Sequence, residues 1–111
     1  MRVFVTSDIH GAYRALEQCI IRSGFRPEED QLIVLGDICD GWPETHHVIR
    51  ALSGIPHLVL LRGNHDEWTL RWMKTGEIMP GWWMQGGRVW SIGICTLYDG
   101  LSPVSFWRIP L

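Results

Sequence analysis

Three short polar clusters carry the chemistry of this sequence: Asp8-Ile9-His10, Gly36-Asp37-Ile38-Cys39-Asp40 and Gly63-Asn64-His65-Asp66. Together they offer carboxylates, imidazoles and a carboxamide. That mixture of oxygen and nitrogen donors suits divalent manganese, iron or zinc. A carboxylate can bridge two such ions, and two ions roughly 3.5–4 Å apart clamp a phosphoryl group for in-line attack by water. Each cluster alone is weak. A loop Asp or His is more often solvated or capping, Gly36-Asp37 is an ordinary turn, and Asp40 or Asp66 would serve as a helix cap. Order and spacing change the balance. Asp8 and Asp37 lie 29 residues apart, and Asp37 and Asn64 lie 27 apart. Each interval fits one strand–helix unit.

The elements that must position these clusters follow from the apolar pattern. Val3–Thr6 is a strand that runs straight into Asp8. Residues 12–22 have helical spacing, with Tyr13, Leu16 and Ile20 on one face and Cys19 beside them as a small core residue. Gly24 and Pro27 end that helix. Residues 32–35 form a second strand, whose unbroken apolar run suits burial on both faces. A second helix starts near Pro43, faces Val48, Ile49 and Leu52 inward, and stops at Gly54 and Pro56. Residues 58–61 form the third strand, and a shorter helix spans 67–74. Strand–helix alternation of this kind predicts an α/β fold with a parallel sheet and right-handed crossovers. All three clusters then fall at the carboxyl ends of strands, where open parallel sheets bind ligands. Farther on, Gly81-Trp82-Trp83 and Gly86-Gly87-Arg88 read as loop. Residues 89–97 read as one or two further strands, and the last dozen residues have no period.

Composition narrows the partners. The chain has 111 residues, 46% hydrophobic and 20% charged, which is the profile of one globular domain. A net charge of −2 and a pI near 6.2 give no electrostatic case for a nucleic-acid partner. No apolar run approaches the roughly 18 residues of a membrane span. The N-terminus has no room for a signal-peptide apolar region, so a cytoplasmic location is expected. Three cysteines without a C-x-x-C pair argue against a disulfide framework or a zinc knuckle. Five of the seven tryptophans fall between residues 68 and 90, either as core packing or as an interface.

Ser7-Asp8-Ile9-His10-Gly11, Gly36-Asp37-Ile38-Cys39-Asp40 and Arg62-Gly63-Asn64-His65-Asp66 together resemble the calcineurin-like metallophosphoesterase superfamily. They are most similar to its bacterial and phage phosphoprotein-phosphatase type, over residues 1–87. The resemblance implies an α/β fold, the N-terminal βαβαβ half of the family's sandwich, as a partial domain over 1–87. Residues 88–111 would be an irregular tail that departs from the family. It implies a dinuclear site of divalent metals, manganese foremost, that hydrolyses phosphate monoesters of phosphoproteins or small phosphoesters, dinucleoside polyphosphates included. In that scheme Asp8 and His10 ligate the first metal, Asp37 bridges both, and Asn64 ligates the second. His65 protonates the leaving oxygen, oriented by Asp40. Arg62 is a candidate for phosphate contact, against a structural role.

Two departures from the family pattern qualify that scheme. Gly41 stands where the phosphatase type has an arginine that grips phosphate, and Arg50 and Arg88 replace it by position only. The family takes two more histidines, and part of its second sheet, from a C-terminal half. This sequence has none after His65, and His46, His47 and His57 match no ligand position. The second metal would keep only Asp37 and Asn64, so the chain would hold a single ion. Alternatives are therefore an inactive or mono-metal remnant, or one half of a split enzyme whose other chain completes the fold. Truncation or a frame change near codon 88 would account for the missing histidine ligands and for the Trp-rich tail that departs from the family.

Overall fold

The computed structural model describes residues 1–88. Its elements in chain order are β1 (Val3–Thr6), α1 (Tyr13–Ser23), β2 (Gln31–Val34), α2 (Thr45–Ser53), β3 (Leu58–Leu60) and α3 (Asn64–Thr75), then a 3₁₀ turn at Trp83–Gln85. The three strands form one parallel sheet in the order β1-β2-β3. This is the expected α/β alternation. The register is set by apolar pairing: Phe4 opposes Leu32, which opposes Leu58, and Thr6 opposes Val34, which opposes Leu60.

That row of side chains faces the core. Leu32, Val34 and Leu60 are buried, together with Leu16 of α1, Val48 and Leu52 of α2 and Leu70 of α3. Each fully buried aliphatic side chain contributes about 1.5–3 kcal/mol relative to an exposed one. α1 ends as the sequence predicts. Gly24 adopts φ 72°, a left-handed cap, and its N–H bonds to the Ile21 carbonyl.

Several expectations need correction. β2 is not buried on both faces: Leu32 and Val34 are buried, whereas Gln31 and Ile33 are half-buried. Val3 and Val5, on the same sheet face as Ile33, are 55% and 59% exposed. Cys19 is exposed rather than part of the core, because it falls outside the Leu16–Ile20 stripe of α1. α2 begins at Thr45, two residues after Pro43. Residues 42–44 are held as loop by backbone bonds from Trp42 N–H to the His10 carbonyl and from Glu44 N–H to the Gly11 carbonyl. α3 begins at Asn64 rather than near residue 67 and is a 12-residue helix. Its first turn is made of the third polar cluster itself, with Asp66 in the N3 position accepting the Gly63 N–H at 2.9 Å. Gly81-Trp82-Trp83 is a packed turn rather than open loop, with Trp82 fully buried. The strands expected over 89–97 lie outside the described residues. Among the described residues, no helix is long and apolar enough to cross a membrane.

Candidate metal centre

The loop after β1 and the loop after β2 are laced together as a continuation of the sheet. Asp8 N–H bonds to the Gly36 carbonyl (3.1 Å), His10 N–H to the Asp37 carbonyl (3.0 Å) and Gly11 N–H to the Ile38 carbonyl (2.8 Å). The loop after β3 is pressed onto them. Gly36 adopts φ 111°, and a Cβ there would stand 2.4 Å from the Gly63 nitrogen. Only glycine permits that backbone approach.

Four motif residues pay for this convergence in backbone strain. Asp8, His10, Asp37 and Asp40 have φ of 52°, 48°, 54° and 71°. Non-glycine residues seldom adopt that region, and clusters of such residues mark functional sites.

The result is a donor cluster. One ligand atom from each of Asp8, His10 and Asp37 lies within 4.8 Å of the others. Two oxygens and an imidazole nitrogen at that spacing fit a divalent cation such as manganese, iron or zinc. His10 is also prepared for such a role. Its Nδ1 sits 2.9 Å from the Cys39 carbonyl oxygen, to which it donates. That leaves Nε2 as the nitrogen with a lone pair, the usual arrangement of a metal-binding histidine. Ser7 Oγ donates to Asp8 Oδ1 at 3.1 Å, and His65 N–H donates to Asp37 Oδ1 at 3.0 Å. Asn64 is exposed and opens α3 directly after Gly63, whose backbone packs on the Asp37 carboxylate.

Beside this cluster stands a histidine–carboxylate pair. His65 Nδ1 donates to Asp40 Oδ2 at 3.2 Å, and the His65 and His10 rings meet edge to face with centroids 5.0 Å apart. Asp40 is fully buried. Burial pushes its carboxyl up to about 6, while hydrogen bonds from Trp82, His65 and Thr69 pull in the opposite direction. The Trp82 indole N–H donates to Asp40 Oδ2, and Thr69 Oγ1 lies 3.4 Å from both carboxylate oxygens. Cys39 is an unsuitable nucleophile, since burial raises its thiol well above the ordinary range.

The remaining candidates are mostly exposed. Arg62 is exposed and paired with Glu67 at 3.3 Å. Arg50 is exposed on α2, and Arg88 is exposed at the end of the described residues. His46 and His47 stack on each other with centroids 4.1 Å apart, and His47 also meets Tyr13 at 5.4 Å. His57 is exposed just before β3.

Three residues of this region do not stand out as site residues in the sequence. Asp66, which reads there only as a helix cap, is fully buried and accepts N–H groups from Asp37 (2.6 Å), Ile38 (2.9 Å) and Cys39 (3.3 Å) as well as Gly63. Burial raises its carboxyl, and these four bonds oppose the rise. Trp82 and Thr69 anchor Asp40. The signal for Trp82 is Gly86-Gly87 close behind it: a Cβ on Gly87 would lie 2.5 Å from the Trp82 ring.

Comparison with known proteins identifies the family of the chain. The family model for the calcineurin-like phosphoesterases matches residues 1–108. The chain belongs to the calcineurin-like phosphoesterase family. It is 34% identical over 88 residues to serine/threonine-protein phosphatase 2 of Escherichia coli, covering 79% of this chain and 39% of that protein. It is 36% identical over 67 residues to the symmetrical bis(5'-nucleosyl)-tetraphosphatase of Erwinia tasmaniensis, covering 60% of this chain and 24% of that one. A crystal structure described as that of a diadenosine tetraphosphatase superposes with a TM-score of 0.61 at 34% identity, over 66% of this chain and 32% of the other. The chain thus spans well under half the length of these relatives.

Proposed function

We propose that this chain carries the metal-binding half of a metal-dependent phosphoesterase that hydrolyses phosphate monoesters. The observation that carries this is the meeting of Asp8, His10 and Asp37 within 4.8 Å, next to a histidine held by a buried carboxylate. A divalent ion, when bound, supplies Lewis-acid charge stabilisation and a water of lowered pKa. Asp8, His10 and Asp37 would hold it. Asp37 and Asn64 would hold the second ion of a dinuclear site, with manganese the leading candidate.

The chain's own acid–base group is His65. Asp40 accepts from Nδ1 and fixes the ring; as an imidazolium, protonated on both nitrogens, His65 would give its Nε2 proton to the departing oxygen and be left as the neutral Nδ1–H form. An alkoxide is a poor leaving group unless protonated, so this role matters more for an alkyl phosphate than for an aryl one. Arg62, already paired with Glu67, is the weaker candidate for phosphate contact. Phosphoproteins and small phosphate monoesters are within the proposed range, and dinucleoside polyphosphates, whose scissile bond is a phosphoanhydride, would extend it, since both kinds of hydrolase occur among the relatives.

The test is turnover of p-nitrophenyl phosphate and a phosphoserine peptide by the purified chain with Mn²⁺. Asp37→Ala is expected to abolish both activities. His65→Ala is expected to cost about 10²–10⁴-fold on the peptide and less on p-nitrophenyl phosphate. Equal losses on the two substrates would remove His65 from the acid role.

A second reading has its own observation. Among the described residues, the sheet face bearing Val3, Val5 and Ile33 is partly uncovered, with Val3 and Val5 more than half exposed. In this reading a second polypeptide covers that face and completes the site, and the chain by itself holds one ion without turnover. Activity that emerges only on adding such a polypeptide would favour it.

A further inference from the structure

Two of the three candidate donors, Asp8 and His10, line a cleft of about 240 Å³ together with Ser7 and Trp42. A second cleft, of about 290 Å³, lies beside it, with Ala12, Ala15 and Pro43 as its apolar lining and Arg14 and Glu44 at its polar edge. Ala12, Ala15 and Trp42 line both. Trp42 is therefore the aromatic wall between the donor cluster and an adjoining apolar cleft.

Its exposure is unusual for its size. Trp42 is 64% exposed, while Trp82 is fully buried and Trp68, Trp72 and Trp83 pack against the core. An isolated exposed aromatic residue is ordinary on a protein surface. Two features set this one apart. The Trp42 backbone N–H bonds to the carbonyl of His10 at 2.8 Å, so the indole is tethered one hydrogen bond from a candidate metal donor. It also follows Gly41, where φ of 105° turns the chain over His10: a Cβ on Gly41 would lie 3.4 Å from the His10 Cβ.

We infer that Trp42 is a stacking platform for a planar aromatic group attached to the phosphate of the substrate. The phosphate sits at the Asp8–His10–Asp37 cluster and the ring lies in the neighbouring cleft against the indole. Arg14 and Glu44, whose charged groups approach to 4.0 Å, offer a donor and an acceptor at the rim for polar edges of that ring or its spacer. An indole face suits this because stacking needs only a π-surface and costs little side-chain entropy. The position of the phosphate rests on the metal-centre reading above; the position of the ring does not.

The experiment is isothermal titration of the full chain, in Mn²⁺, with AMP against ribose 5-phosphate, phenyl phosphate against cyclohexyl phosphate, and adenosine alone. At least one aromatic member is expected to bind about fivefold or more tighter than its non-aromatic counterpart, the lower end of what one stacked base is worth. Preference for AMP marks the group as a nucleobase, and preference for phenyl phosphate marks it as a simple aryl ring. The preference is expected to vanish in Trp42→Ala and to survive largely in Trp42→Phe, with Trp42→Leu as the ringless variant if the alanine variant fails to fold. No preference in either pair, or a preference that persists in the ringless variant, overturns the inference. Adenosine binding as tightly as AMP, and lost in the ringless variant, would leave the platform standing and sink the placement of the phosphate.

Discussion

The side chain of Asp66 reaches back across 29 residues of sequence to accept the backbone N–H of Asp37 at 2.6 Å. A carboxylate outside the donor cluster thus holds the main chain of a carboxylate within it. The same side chain takes the N–H groups of Ile38, Cys39 and Gly63, so it ties the loop after β2 to the start of α3.

Asp66→Ala is therefore expected to destabilise the fold severely. It leaves up to four backbone donors without an acceptor, each costing about 1–3 kcal/mol where buried. A loss of at least about 3 kcal/mol in urea unfolding is expected, with Asp66→Asn intermediate because one acceptor oxygen remains. A change below about 1 kcal/mol in Asp66→Ala would show that water replaces these bonds at no cost.

Trp82→Phe separates the indole N–H from the bulk of the ring. The buried Asp40 carboxylate loses one of its donors, at a cost of about 1–2 kcal/mol. Trp82→Ala adds a cavity and is expected to reach about 3–5 kcal/mol. If the two variants unfold at the same urea concentration, the hydrogen bond contributes and the packing does not, contrary to expectation.

Mn²⁺ titration of the chain is expected to saturate first at the Asp8–His10–Asp37 site. Asp8→Ala and Asp37→Ala are each expected to weaken binding by at least about tenfold, since each removes one of the three proposed ligands. Binding also stabilises the native state, by about 2.7 kcal/mol at an ion concentration 100 times Kd. Chelation should then lower the melting temperature of the wild-type chain by more than that of Asp37→Ala. If Asn64→Ala removes a second, weaker equivalent, the dinuclear reading is supported.

Acid sensitivity has a source far from the metal centre. The Arg2 guanidinium donates to both oxygens of Asp30 at 3.1 and 2.7 Å and holds that carboxyl down at about 2, below the usual carboxylate range. A carboxyl depressed in the folded state stabilises above its unfolded pKa, and the gain is lost as pH falls from about 4 through about 2. Thermal melts between pH 6 and pH 2 should show wild type losing stability over that window and Asp30→Asn losing less. Parallel curves would assign the acid loss to other groups.

Two glycines with left-handed backbones should differ sharply. Gly24 has φ 72°, and a methyl group added there would meet nothing within 4 Å, so Gly24→Ala is expected to cost only the left-handed penalty of about 1–2 kcal/mol. Gly36 has φ 111° and would place its methyl 2.4 Å from the Gly63 nitrogen. Gly36→Ala should therefore separate the loops after β2 and β3 and abolish Mn²⁺ binding along with much of the stability. Comparable melting temperatures for the two variants would mean that the loops are not held as close as the structure places them.

The strand–helix alternation is legible in the sequence because its signals are local. Apolar runs of three or four residues, helical spacing in residues 12–22 and the glycine stops are each contained within one element. The ends of elements are less legible. The sequence places the start of α3 after Asp66, because Asn64-His65-Asp66 looks like a polar turn. The residue that makes it helical is Asp66 itself, whose partners Asp37, Ile38 and Cys39 lie 27 to 29 positions away. Cys19 departs from expectation for a related reason. One step along a helix is about a hundred degrees of rotation, and a neighbour of two inward residues can point to solvent.

By itself the sequence determined which residues are chemically equipped and that they recur at strand ends: Asp8, His10, Asp37, Asp40, Asn64 and His65 are all read from type and spacing. Tertiary structure alone decided which of them meet. It closed Asp8, His10 and Asp37 to within 4.8 Å, aligned His65 on Asp40, gave Asp66 of the third cluster a bridging role beyond that of a helix cap, and recruited Trp82 from a segment that carried no motif of its own. The physical reason is that a donor's identity is a property of one residue, whereas convergence depends on backbone bonds between loops, on glycines that let main chains touch, and on buried acceptors that satisfy N–H groups far away in sequence.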